Sequence, residues 1–252
     1  MAVAPEIAFP YATGAILLIG IAIIAYIYRK LGNPALLVLM IGLFSVAMES
    51  FLDGYEAQQL LPYGASWNNV PTERIGYMLT IDVIRGIWII IWAAMEFMFA
   101  FMLGGTENKK LLYGLPAAVL IFGTAETVYF DLYYGANTLD LETRIFVSSA
   151  IRVLVFLVPA ALFAGAYILY NLYRELATKS SLLYGLGFII HGLTLPFYSI
   201  SKEHGSITLG LWYALGGVIP ALLATLGSYY LMKEATEELI EEEEEGETEE
   251  SA

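Results

Sequence analysis

Residues 76–103 read GYMLTIDVIRGIWIIIWAAMEFMFAFML. Such a run crosses a hydrocarbon core of about 30 Å, which takes roughly 20 helical residues. Within it Asp82, Arg85, Ile89, Trp92 and Glu96 recur at steps of 3, 4, 3 and 4. At about 100° per residue they fall within roughly 80° of arc, so one helix face carries acid, base, aromatic and acid. Lipid cannot satisfy that face, because an ionisable group at mid-membrane costs roughly 2.5–3.5 kcal/mol on insertion scales. The face must look into a bundle of other helices.

The rest of the chain supplies those helices. Six further apolar runs lie near 11–29, 34–53, 110–130, 145–173, 181–201 and 206–232. The composition is 58% hydrophobic, which excludes an ordinary soluble domain of this length. Runs this long also exclude a β-barrel, whose strands alternate over about 10 residues. The expected fold is an all-α bundle of seven transmembrane helices over residues 1–233, in the cell membrane.

The net charge of −13 is concentrated at one end. Residues 234–252 hold eleven glutamates, and setting them aside leaves −2. Like charges in a row such as Glu241–Glu245 repel and stay solvated, so this segment is expected to be a disordered tail. It keeps the chain soluble at that end or recruits a basic protein partner. A nucleic-acid partner is not expected.

The basic residues give the orientation. Arg29, Lys30, Lys109, Lys110, Arg174, Lys179 and Lys233 fall on one side, and Arg74, Arg144 and Lys202 on the other. Seven against three places the odd loops and the C-terminal tail in the cytoplasm and the N-terminus outside. The N-terminal stretch has Glu6 and no Lys or Arg, so the first run is read as a retained helix rather than a signal peptide. Asn33-Pro34, and Gly104-Gly105 followed by Lys109-Lys110, mark tight cytoplasmic turns. The longer outer connections, 54–75 and 129–144, carry Tyr55, Tyr63, Trp67, Tyr129, Tyr134 and Asn137. These side chains suit the interfacial belt and could also build a lid.

An internal echo suggests a parallel repeat. At an offset of 145, Gly20, Ile23, Tyr28, Arg29, Leu31, Leu37 and Gly42 fall on Gly165, Ile168, Tyr173, Arg174, Leu176, Leu182 and Gly187. This gives a 3+1+3 arrangement, and such repeats place sites at their interface. In layout alone the chain is similar to microbial rhodopsins and sugar-efflux transporters. A retinal Schiff base requires a lysine in mid-helix, and the seventh run has none before Lys233 at its edge.

Candidate site residues follow from depth. Glu49, Asp82, Arg85, Glu126 and Arg152 all lie in the outer half of their helices, with Asp53 just beyond Glu49. They are expected to converge, either as a charge-compensated structural network or as an ion or ligand site. Arg85 and Arg152 would hold the carboxylates or an anionic group. Trp92 shares the helix-3 face. His191 sits near mid-depth, either as a packing residue or as part of the site. Glu96 lies in the inner half with no basic residue at its depth, so it is expected to be a proton-carrying relay or a hydrogen-bonded acid. Pro116, Pro159, Pro196 and Pro220 each free a backbone carbonyl. With Gly216-Gly217 one turn earlier, the seventh helix can kink and offer carbonyls to a cation.

The chemistry available is limited. There is no cysteine, which excludes disulfides and thiolate sites. The only histidines are His191 and His204, the latter in an outer loop, so neither a haem nor a metal site is expected. No HExxH, GxSxG or phosphate loop occurs, and no enzyme or cofactor is expected. The leading expectation is a transporter or channel for an ion or small polar solute. The alternative is a seven-helix receptor, or a subunit of a membrane complex, acting through a separate partner or as a homo-oligomer.

Overall fold

The computed structural model describes residues 5–64, 66–103, 108–133, 140–174, 178–201 and 206–250, without the side chains of 5, 133, 172–174, 198–201, 206–209 and 238–250. Gly104, Gly105, Tyr134, Asn137, Lys202 and His204 lie outside the described residues. Seven helices long and apolar enough to cross a membrane account for nearly all of the rest, as a polytopic membrane protein requires. They are α1 (Pro5–Leu31), α2 (Pro34–Leu60), α3 (Thr72–Leu103), α4 (110–133), α5 (141–174), α6 (Lys179–Ser201) and α7 (206–250).

Local chemistry sets several helix ends. Pro34 occupies the first turn of α2, and the Asn33 side chain accepts from the Ala35 amide at 2.9 Å. Gly32, with φ of 62°, makes the left-handed turn that ends α1. Asp140 caps α5 through the Thr143 amide at 3.0 Å. Glu234 of α7 caps α6 from outside, accepting from the amides of Lys179 (2.9 Å) and Ser180 (3.3 Å).

Six helices form a closed ring in the order α1, α2, α3, α5, α6, α7 and back to α1. Helix α4 stands outside it, against α3 and α5. Its Ile121 and Phe122 are among the most exposed apolar side chains, as a lipid-facing helix demands. Fully buried Ala93, Ala94, Ala100, Ala160 and Ala164 let helices approach closely inside the ring. Arg29, Lys30, Lys110, Lys179 and Lys233 mark one end of the bundle, here the basic end.

The helices extend beyond the apolar runs. Helix α2 continues to Leu60, and α5 begins at Leu141. Arg144, expected in an outer loop, is therefore a buried residue of α5. The last helix is continuous to Glu250, through most of the acidic segment read from its charge as disordered. At its start Lys233 meets Glu237 one turn on, at 3.5 Å.

Among the described residues, four π-helical turns occur, at Lys110–Gly114, Tyr129–Tyr133, Arg152–Leu157 and Ala214–Val218. The last two each end two residues before a proline, Pro159 and Pro220. Proline cannot donate to the carbonyl four residues back, and a widened turn accommodates the gap.

Candidate functional site

The predicted face of α3 is wholly inward. Asp82, Arg85, Ile89, Trp92 and Glu96 are all buried. At the end opposite the basic one, Asp82 joins both membrane arginines. Arg85 Nη2 donates to Asp82 Oδ1 at 2.7 Å, and Arg152 Nη2 to Asp82 Oδ2 at 3.0 Å. Arg152 also reaches Asp131 Oδ2 at 3.0 Å and is 0% exposed. It passes directly over Gly86, where a Cβ would stand 2.0 Å from its Nη1. Only glycine fits beneath this guanidinium.

The remaining partners differ from those expected. Arg85 pairs with Asp53 at 2.5 Å and Glu56 at 3.2 Å. Tyr213 of α7 donates to the other Asp53 oxygen at 2.7 Å. Glu126 lies near Arg152 and Asp82, but its carboxylate is not among the ion pairs formed by the described residues. Asp131, five residues further on, takes that place. Glu49 borders the cavity described below. Among the described residues of this cluster and its border, six carboxylates (Glu49, Asp53, Glu56, Asp82, Glu126, Asp131) and three guanidiniums (Arg85, Arg144, Arg152) are buried or half-buried. By number of groups, acids outnumber guanidiniums among these residues.

Short segments cover this end. Trp67 and Val70, between α2 and α3, pack on Leu60, Met78, Leu79, Ile81 and Ile145. Asn68 donates to Asp140 at 3.2 Å and accepts from the Glu142 amide at 3.4 Å, and Ser66 bonds the Glu142 carboxylate. The 66–70 segment is thereby tied to the start of α5.

Inside the ring lies a cavity of about 100 Å³. Glu49, Ser50, Asp53, Arg85 and Tyr213 border it, so it adjoins the charged cluster. Trp92 and His191 are on its wall, among apolar residues such as Leu43, Val46, Val153 and Leu195. The His191 ring packs on Trp92 with centroids 4.4 Å apart. Trp92 Nε1 in turn donates to Glu96 Oε1 at 2.7 Å. The second Glu96 oxygen is buried and has no hydrogen-bond partner among the described residues. A void of about 10 Å³ touches Trp92 and Glu96, roughly the space of one water.

Proline chemistry positions His191. Pro220 has no amide hydrogen for the Gly216 carbonyl, and His191 Nδ1 lies 2.5 Å from that oxygen. The carbonyl freed by Pro220 is thus taken by a side chain rather than left for a cation. Because a carbonyl only accepts, Nδ1 carries a hydrogen in this contact. His191 Nε2 is buried with no hydrogen-bond partner among the described residues.

No family model, curated protein or solved structure matches the chain.

Proposed function

We propose that the protein is a transporter or channel that passes an ion or small polar solute through the ring of six helices. One observation carries this reading. The central cavity adjoins an acid-rich charged cluster at one end and reaches His191 and Trp92, and Trp92 leads on to Glu96 in the basic half of α3. The route joins buried polar groups that a purely structural core would replace with apolar ones. By the distribution of Lys and Arg, the charged cluster faces outward and the acidic C-terminal segment faces the cytoplasm of the cell. The protein acts without a cofactor and is not an enzyme in this reading.

The ring can also be described as two three-helix units joined by α4. Its cyclic order supports this, as do Gly42 and Gly187, which face α3 and α7 respectively. Gly20 and Gly165 meet non-equivalent neighbours, Thr225 of α7 and Gly185 of α6.

The test is flux. Purified protein in liposomes, under an imposed potential, should acidify or alkalinise the lumen faster than empty liposomes, read by a trapped pH dye. Glu96→Gln keeps shape but cannot exchange a proton, so it should abolish or flatten the pH dependence while melting is unchanged. Proton flux equal to empty liposomes, together with no flux of small cations, would refute the transport reading. It would move weight to a receptor role.

A further inference from the structure

We propose that the central cavity binds an uncharged, chain-like amphiphile of the alkanol class, with its alkyl chain in the deeper half and its hydroxyl toward the charged cluster. The inference goes beyond the transport reading and does not rest on it, because it concerns what the cavity holds rather than what crosses the bundle.

The lining residues give the cavity its shape. It extends from Asp53 to Leu43 on α2, from Leu195 to Tyr184 on α6 and from Trp212 to Ala224 on α7. These intervals of 10, 11 and 12 residues rise about 15–18 Å, at about 1.5 Å each. A volume of about 100 Å³ spread over that length is narrow, and admits a chain more readily than a ring.

The two halves of this space differ in chemistry. Toward the cluster stand Ser50, Asp53, Arg85, Ser149 and Tyr213. The deeper wall includes Leu17, Leu43, Leu157, Phe188, Ala221 and Ala224, all buried apolar side chains. Tyr184 and Trp92 join that wall, but their polar atoms are engaged elsewhere. The Tyr184 hydroxyl lies 2.7 Å from Ser228 Oγ, and Trp92 Nε1 donates to Glu96. Ser228 gives its own hydrogen to the Ala224 carbonyl at 2.9 Å, so Tyr184 is the donor of that pair. An apolar space of this kind stays dry and takes up apolar molecules.

Existing pairs select the head group. Asp53 accepts from Arg85 at 2.5 Å and from Tyr213 at 2.7 Å, and Arg85 also meets Glu56 and Asp82. A charged head would have to break into these pairs. A hydroxyl does not, and it both donates and accepts. Volume sets the chain length. A cavity of about 150 Å³ accommodates benzene, so about 100 Å³ holds roughly four to six heavy atoms.

The experiment is thermal unfolding of the purified full chain in detergent with 1-propanol, 1-butanol, 1-pentanol and 1-octanol, at free concentrations fixed by dialysis. Each should raise Tm saturably up to 1-pentanol, with affinity rising about fourfold per methylene, the worth of moving one such group out of water. By 1-octanol the rise should have stopped, whereas partition into the micelle has no length limit and does not saturate. Cyclopentanol and valerate should bind more weakly than 1-pentanol, and pentylammonium no better. Ala221→Leu fills the deeper half and should keep the unliganded Tm while losing the saturable shift. Ala224→Leu is the second variant, and if neither folds the probe ranking on the unaltered protein decides. An unbroken rise through 1-octanol, or no saturable shift at all, would overturn the proposal. So would cyclopentanol or valerate binding as well as 1-pentanol, pentylammonium binding more tightly, or a full shift retained in both folded variants. Flux in liposomes is read separately. Saturable pentanol binding without flux supports this occupant and counts against transport. Flux without pentanol binding overturns the occupant and leaves transport standing.

Discussion

Replacing Arg152 with methionine should be among the most damaging single changes in the bundle. The guanidinium is 0% exposed and is held 3.0 Å from Asp82 and 3.0 Å from Asp131. Methionine nearly fills the space but leaves Asp131 facing no cation among the described residues, while Asp82 retains Arg85 at 2.7 Å. Breaking a buried pair from one side costs about 3–5 kcal/mol, because the orphaned charge has lost water and partner together. The exposed Arg74→Ala should stay within about 0.5 kcal/mol of the parent. Removing both sides, as Arg152→Met with Asp131→Leu, should recover much of the loss, since replacing a whole buried pair by apolar groups is often neutral or better. Reversible unfolding in mixed micelles titrated with SDS measures all three. A loss below about 1 kcal/mol for Arg152→Met, or a double variant no more stable than the single one, would refute the reasoning.

Gly86→Ala places a methyl 2.0 Å from Arg152 Nη1 and 2.7 Å from Thr127 Cγ2. It should cost about 1–3 kcal/mol in the same assay, and much less in an Arg152→Ala background where the clashing group is gone. Pro220→Ala returns an amide hydrogen to the Gly216 carbonyl and should compete with His191 for it. The 15N shifts of the His191 ring should then show the Nδ1–H tautomer losing its dominance, and an unchanged spectrum would count against this anchoring. Asp140 is held below the usual aspartate range by the Thr143 hydroxyl, the Thr143 amide and Asn68. A depressed folded value means its contribution is complete at neutral pH and is lost as pH falls through that value. Amide exchange in the first turn of α5 should therefore rise below about pH 4, and Asp140→Asn should flatten that rise.

Spacing made the helix-3 face legible, and the same signal reached further than the apolar runs suggested. Glu49, Asp53 and Glu56 stand at steps of 4 and 3 on α2, the pattern of Arg85, Ile89 and Trp92 on α3. A boundary near 53, drawn where hydropathy falls, cut the pattern and hid Glu56. The helix runs on because its last polar side chains point at Arg85 instead of water. Asp131 was hidden in the same way. It lies one turn after Thr127, on the same buried face of α4, but in a segment that composition marks as loop. Tyr213 carried no such signal. Closure of the ring brings it to Asp53 across 160 positions, and no local periodicity encodes that contact. Pro220 announced a freed carbonyl, but His191 as its partner depends on how α6 packs on α7.

The charge distribution also bears on whether the cluster is only a scaffold. Arg85 alone contacts three carboxylates, those of Asp53, Glu56 and Asp82. Asp82 is shared with Arg152, so two guanidiniums face four carboxylates, Asp53, Glu56, Asp82 and Asp131, with Asp53 and Glu56 one turn apart on α2. A network shaped only for stability would match its charges or exchange them for apolar packing. An acid-rich network bordering a cavity gains instead whenever a proton or a cation comes within reach. Asp53 is the residue where the two meet, since it binds Arg85 and Tyr213 and also lines the cavity. Any cation entering there is in competition with Arg85 for Asp53. In the proposed transport reading, occupancy of the cavity is thereby coupled to the position of Arg85, and through Asp82 to Arg152.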